Sequence, residues 1–190
     1  MGEDFKMEKT ELTHIVHFEV NGGSPAIADQ IVADNKKVKT PEDPEKEGFY
    51  FMGWYEDPEF GWKSLVSPSF KLSERITSDK TFYAGWGKWV NLTADSRQSF
   101  DENGKKIAPL ANRSGYVYVG GSGARMMGIP VLAKMQTFSV KPEPGFHFVA
   151  WYKKKEDNSI GELISTETSF SIVLDEDINY YAIFEPDEEK

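Results

Sequence analysis

Of the side chains able to bind metals, carry protons or attack a substrate, this 190-residue chain has three histidines, no cysteine and an abundance of carboxylates, with 31 acidic residues. The absence of cysteine removes disulfides, thiolate nucleophiles and cysteine-held zinc. His14 and His17 come nearest to a metal pair, but they flank and enter the alternating stretch Ile15-Val16-His17-Phe18-Glu19-Val20. Residues three apart on a strand point to opposite faces and cannot converge without a bulge. His147 stands alone, so a structural or surface role is expected for all three, with no metal and no cofactor.

Gly120-Gly121-Ser122-Gly123 suggests a phosphate cradle, and Gly123 to Gly128 has P-loop glycine spacing. Ile129-Pro130 replaces the required Lys and Ser or Thr, so a flexible turn is expected. Asp101-Glu102-Asn103-Gly104 begins like a calcium loop, yet its glycine is misplaced and Lys105 and Lys106 follow. Gly61-Trp62-Lys63-Ser64 lacks the G-x-S-x-G spacing of a nucleophile elbow. Carboxylates are too abundant for proximity in sequence to single out a glycosidase pair. The chain reads as non-catalytic.

Four aromatic residues remain as candidates for contact with a ligand or partner: Trp62, Trp89, Tyr116 and Tyr118. Clustered on a flat surface, they could stack on sugar rings or anchor a protein. The competing expectation is that they seal a module junction or a second core. A net charge of -9 repels nucleic acid and anionic membranes. The one basic run, Lys153-Lys154-Lys155, is followed by Glu156 and Asp157 and reads as a solvated hairpin loop. No stretch approaches 18 consecutive apolar residues, so no transmembrane helix is expected, and the acidic Met1-Gly2-Glu3-Asp4 start has no apolar signal region. Gly2 is followed by Lys6 where myristoylation needs Ser or Thr.

The elements that must position these residues come twice. Gly48-Phe49-Tyr50-Phe51-Met52-Gly53-Trp54-Tyr55 returns 97 residues later as Gly145-Phe146-His147-Phe148-Val149-Ala150-Trp151-Tyr152. Asp79-Lys80-Thr81-Phe82-Tyr83-Ala84-Gly85-Trp86 returns 98 residues later as Asp177-Ile178-Asn179-Tyr180-Tyr181-Ala182-Ile183-Phe184. Such a period repeats a packing solution and points to modules in series. In each, a half-buried opening strand precedes an aromatic strand and a terminal strand whose large-small-large face suits close packing. The core positions are Phe18, Phe51, Trp54 and Trp86 in the first copy, and Phe148, Trp151 and Phe184 in the second. Phe51 and Trp54 have opposite parity, so either a bulge at Gly53 brings the indole to the core or Trp54 and Trp151 cover the other face. Pro41 and Pro44 make Thr40 to Gly48 an extended surface connection. Ser67 to Arg75 holds only a weak helical pattern, and helix content should be low.

The resulting division is an N-terminal tail at 1–13, a module at 14–87, an enlarged module at 88–186 and an acidic tail at 187–190. Gly87-Lys88 is the only break between modules, which predicts a semi-rigid tandem.

The combination of Asn21-Gly22-Gly23, Pro41-Glu42-Asp43-Pro44, Glu47 through Tyr55 and Ile76 through Trp86 resembles the Listeria-Bacteroides repeat, also called the internalin B-repeat. Residues Trp89 to Pro186 are similar to a divergent copy, chiefly through Pro142 to Tyr152 and Asp177 to Phe184, with Asp95 to Leu132 uncovered. The resemblance implies a mostly β, small α+β tandem of β-grasp-like modules, the second enlarged. It also implies a secreted or cell wall-associated bacterial location, with any signal and anchor outside these residues, and work as a spacer, adhesion accessory or protein-interaction scaffold. The implied partners are other domains of the parent protein and host or bacterial surface proteins or glycans. A carbohydrate-binding module using the exposed aromatics is the alternative.

Overall fold

The computed structural model describes residues 11–60, 65–67, 75–108 and 114–188. Two compact units divide the chain, Met1–Trp86 and Gly87–Lys190. Among the described residues the regular structure is almost wholly strand, and the one helical element is a 3-10 turn at Arg97–Ser99. Most of the weak helical pattern between Ser67 and Arg75 lies outside the described residues.

In the first unit, β1 (Thr13–Glu19) buries His14, Val16 and Phe18 and exposes Thr13, Ile15 and His17. That alternation makes one face of a strand apolar and drives it against a core. β1 pairs antiparallel with β2 (Gln30–Ala33), and β3 (Lys36–Lys37) pairs with β6 (Arg75–Ile76). On its other side β1 runs parallel to the start of β7 (Lys80–Ser96), from Val16 opposite Lys80 to Glu19 opposite Tyr83. Parallel neighbours need a long crossover, and β4 (Tyr50–Tyr55), β5 (Leu65–Ser67) and the Pro41 to Gly48 connection lie within it. β4 pairs with β5 and β7. The extended connection expected at Thr40 to Gly48 carries no strand, although Glu45 bridges Ser24 and Pro44 is buried. Val16, Phe18, Trp54, Ile76, Phe82, Ala84 and Trp86 form the core, with Phe51 packed against it.

The second unit takes β7 onward from Gly87. The division of the chain into units falls at the break expected at Gly87-Lys88, within the span of β7, where Gly87 stands opposite Leu132 and Lys88 opposite Val131 of β10 (Met126–Leu132). β7 runs parallel to β15 (Ile178–Pro186), which pairs with β12 (Phe146–Lys154) and through it with β13 (Ile160–Ser165). A separate sheet orders β14 (Ser169–Val173), β11 (Met135–Pro142), β8 (Gly115–Val119) and β9 (Ser122–Ala124) side by side. The two sheets enclose Val90, Leu92, Phe138, Trp151, Tyr180 and Phe184, with Phe148 packed against them. On the other side of the β7–β15 sheet, Phe100, Tyr181 and Ile183 make a smaller cluster.

The parity question resolves toward the core in both units. Phe51 and Trp54 meet edge to face at 5.5 Å, and Phe148 and Trp151 meet at 5.9 Å. In β12 the register slips between Phe148, opposite Phe184, and Ala150, opposite Ile183, so the extra residue is Val149. In β4, buried Gly53 takes φ +105°, a conformation closed to most side chains.

Candidate ligand-binding surface

The four candidate aromatics do not form one cluster. Trp62 lies outside the described residues. Trp89 is half-buried on β7, its indole donating to Asn91 Oδ1 at 3.0 Å. A Cβ added at Gly128 would fall 2.7 Å from Asn91 Oδ1 and 3.4 Å from Trp89 Nε1, so these two side chains lie across β10. Val90 and Leu92 point inward, so Trp89 belongs to the outer face of its sheet. Tyr116 and Tyr118 are on β8, alternating with buried Val117 and Val119, and belong to the outer face of the other sheet. The structure therefore brings Tyr116 and Tyr118 together and sets Trp89 apart.

Each tyrosine is held in place. A Cβ at Gly123 would fall 2.1 Å from Tyr118 Cε1 and 2.3 Å from its Cδ1, so the ring lies directly over the cross-strand glycine of β9. The Arg125 guanidinium sits 4.4 Å from the Tyr116 ring centre, donates to the Tyr116 hydroxyl at 3.0 Å and pairs with Glu143. Thr137, Ser139 and Lys141 of β11 share the outward side, since Phe138 between them is fully buried. The loop Gly120-Gly121 is a tight two-residue hairpin joining Val119 to Ser122, with φ of +58° and +81°. Positive φ at both central residues is what such a turn requires, so these glycines serve geometry rather than phosphate binding.

The other candidates are engaged locally. His14 Nε2 lies 2.8 Å from Asp34 Oδ1, and on the opposite face His17 Nδ1 lies 2.6 Å from Asp29 Oδ1. His147 Nδ1 is 3.2 Å from Asp187 Oδ1. Asp101 Oδ1 accepts from the backbone N–H groups of Asn103 and Lys105, closing an Asx turn. Among the described residues no group of three or more His, Asp or Glu side chains is placed to hold a metal ion.

Sequence reasoning missed a buried polar group. Asp95, on the outward side of β7, is fully buried because the Arg97 to Lys106 segment folds over it and brings in the Lys106 ammonium as its ion-pair partner. Lys106 also stands over the Phe100 ring, and Lys154 over Tyr181. Burial lowers the Lys154 pKa, as does the Lys106 charge, against a smaller opposing pull from Asp95. Burial, then Asp95 and Asp157, push the Tyr181 phenol up to about 12. Alternation alone assigns Asp95 to solvent; only the covering loop reverses that. The basic run is thus less solvated than expected, since Lys154 is half-buried between exposed Lys153 and Lys155.

The expected core residues Phe18, Trp54, Trp86, Trp151 and Phe184 are buried, while Phe51 and Phe148 are half-buried against their clusters. Trp151 Nε1 donates to the Glu167 carbonyl at 3.2 Å and Trp86 Nε1 to the Val20 carbonyl at 3.1 Å. The two units also share a hydrogen bond. Asp79 Oδ1 accepts from the Ile15 backbone N–H, and Asp177 Oδ1 from that of Trp89, each at 2.8 Å. A carboxylate before the terminal strand thereby clamps the opening strand in both units.

Residues 14–85 match the family model of the Listeria-Bacteroides repeat domain, a repeat family that is typically non-catalytic. Two proteins of Evansella cellulosilytica are similar to the chain. One, named "Putative membrane protein", is 24% identical over 94% of this chain and 27% of its own length. The other, named "Putative Gly-rich membrane protein", is 36% identical over 52% of this chain and 10% of its own length. The chain thus spans about a quarter and a tenth of these relatives. Among the described residues no helix is long and apolar enough to cross a membrane.

Proposed function

From a Listeria-Bacteroides repeat at residues 14–85, we propose that this chain is a non-catalytic pair of extracellular repeat modules from a bacterial secreted or cell-surface protein, serving as spacer, adhesion module or protein-interaction scaffold. Residues 88–186 are read as a divergent, enlarged copy, and both as β-grasp-like. The observation that carries this reading is the repeated frame: an opening strand parallel to the terminal strand, clamped by Asp79 or Asp177, with Trp54 or Trp151 in the core. What recurs is packing and main-chain anchoring rather than a reactive constellation. The membrane-protein names of the two relatives favour an envelope location. Partners are other domains of the parent protein and surface proteins or glycans.

The test is protease shaving of intact bacteria carrying an epitope-tagged parent protein. Release of the tag while a cytosolic marker stays protected is expected; protection of both until the cells are lysed would sink the reading. The carbohydrate-binding alternative is favoured by one observation, the common face of Tyr116 and Tyr118.

A further inference from the structure

The outer face of the β14-β11-β8-β9 sheet differs from the rest of this acidic chain. Across β11 and β14, Ser139 stands opposite Ser169 and Thr137 opposite Ser171, with Thr137 Oγ1 2.8 Å from Ser171 Oγ. Across β11 and β8, Ser139 stands opposite Tyr118 and Lys141 opposite Tyr116. The outward positions of these strands therefore carry hydroxyls and phenol rings, and Lys141 is the one charged side chain among them. In a chain of net charge -9 with 28% charged residues, strands whose outward positions carry no carboxylate make a distinct chemical surface, with the Glu143 carboxylate at its edge engaged by Arg125.

Its shape follows from the same residues. Tyr118 lies over Gly123, so one side of its ring is covered by β9 and the other is turned outward. Tyr116 stands two residues along the same strand, about 7 Å away by strand geometry, braced by Arg125. Two rings in line, with flanking hydroxyls that both donate and accept, offer stacking surface and hydrogen bonds along one direction. A protein partner held by a stable interface asks for a dry core of buried anchors, whereas the apolar residues here, Met135 and Val173, sit at one end. The groove of about 410 Å³ in the first unit, lined by Glu45, Lys46, Glu47 and aromatic residues, is by contrast charged.

We propose that this face is a binding platform for an extended, uncharged polysaccharide, with Tyr118 as the stacking ring, Tyr116 as the second ring and the hydroxyls of Thr137, Ser139, Ser169 and Ser171 meeting sugar hydroxyls. The inference rests on the reading of the chain as a non-catalytic extracellular module, and narrows it to one face and one ligand class. Charge selects the ligand: an anionic polymer is repelled by the net charge, and a neutral one is not.

The experiment is calorimetric titration of the whole chain with cellohexaose, xylohexaose and chitohexaose, alongside a hyaluronan hexasaccharide as the acidic counterpart. Saturable binding of at least one neutral hexasaccharide is expected, weakened about tenfold by Tyr118→Ala through loss of ring stacking. Because that substitution also uncovers Gly123, Ser139→Glu is the companion variant: it keeps both rings, places a carboxylate at the centre of the face and abolishes binding while the thermal transition stays in place. Failure of all three neutral probes to saturate, binding that survives both substitutions, or saturation by hyaluronan alone would overturn the proposal. Protease shaving reads location without any sugar, so the two readings fail separately.

Discussion

Trp54 and Trp151 occupy the same place in two units with one packing scheme, and both indoles are buried. Trp151 Nε1 reaches the Glu167 carbonyl, and the position of the first unit that answers to Glu167 lies outside the described residues, among which Trp54 Nε1 has no hydrogen-bond partner. A polar pair does diverge. Counted from the register of the opening strands, Asn21 corresponds to Asp95. Asn21 takes φ +48°, ends its strand in a turn and donates to the Ala84 carbonyl. Asp95 instead lets β7 continue and recruits Lys106 with its loop. The terminal ring, by contrast, has the same requirement in both copies. A Cβ at Gly23 would lie 2.4 Å from Trp86, and one at Gly115 2.4 Å from Phe184, although these glycines come from different elements. Apolar geometry and the carboxylate clamp are kept in both units, and the polar pairing at the end of the opening strand is where they part.

The comparison breaks most directly at the shared core. Trp54→Ala and Trp151→Ala should each remove about 3 to 5 kcal/mol from their own unit, read as a lowered or lost calorimetric transition. If either substitution left both transitions in place, the equivalence of the two tryptophans would be wrong. Next comes the polar divergence. Lys106→Ala leaves the Asp95 carboxylate buried and unpaired, at a cost of about 3 kcal/mol to the second unit in urea titration. The double variant Asp95→Asn, Lys106→Met removes both charges and should recover most of that loss.

A somewhat smaller effect is alkaline. Tyr181 titrates near 12 in the fold against about 10 in an unfolded chain, so its contribution is intact below pH 10 and is lost as the pH rises through 12. The loss is about 2 to 3 kcal/mol, and urea titrations at pH 9 and pH 12 should show a shallower decline for Tyr181→Phe. Smallest is the clamp: Asp79→Ala and Asp177→Ala should each cost about 1 kcal/mol in their own unit. Unequal costs would show that the second copy leans less on it.

The strands that carry the duplication are legible because period-two alternation and preserved rings are local signals. Val16 and Phe18 on β1, and the large-small-large faces of the terminal strands, follow from sequence alone. Three things are not local. Gly87-Lys88 stands at the start of the second unit, but its ladder partners come from β10, some 45 residues away. Tyr116, Tyr118 and Trp89 look like one cluster until the sheet order puts them on different outer faces. Asp95 follows an outward pattern and is buried only because a polar loop closes over it. Loop closure and sheet order depend on contacts between distant segments, which alternation within a strand does not encode.

The parallel pairing of opening and terminal strands has a mechanical meaning. When the ends of such a unit are pulled apart, the two strands slide along one another, and the hydrogen bonds between Val16 and Glu19 on one side and Lys80 and Tyr83 on the other bear the load together instead of opening one by one. The seven-pair ladder from Ile178–Val90 to Phe184–Ser96 shares the strain over a longer span, so under tension in an atomic-force pulling experiment the second unit should yield at the higher force.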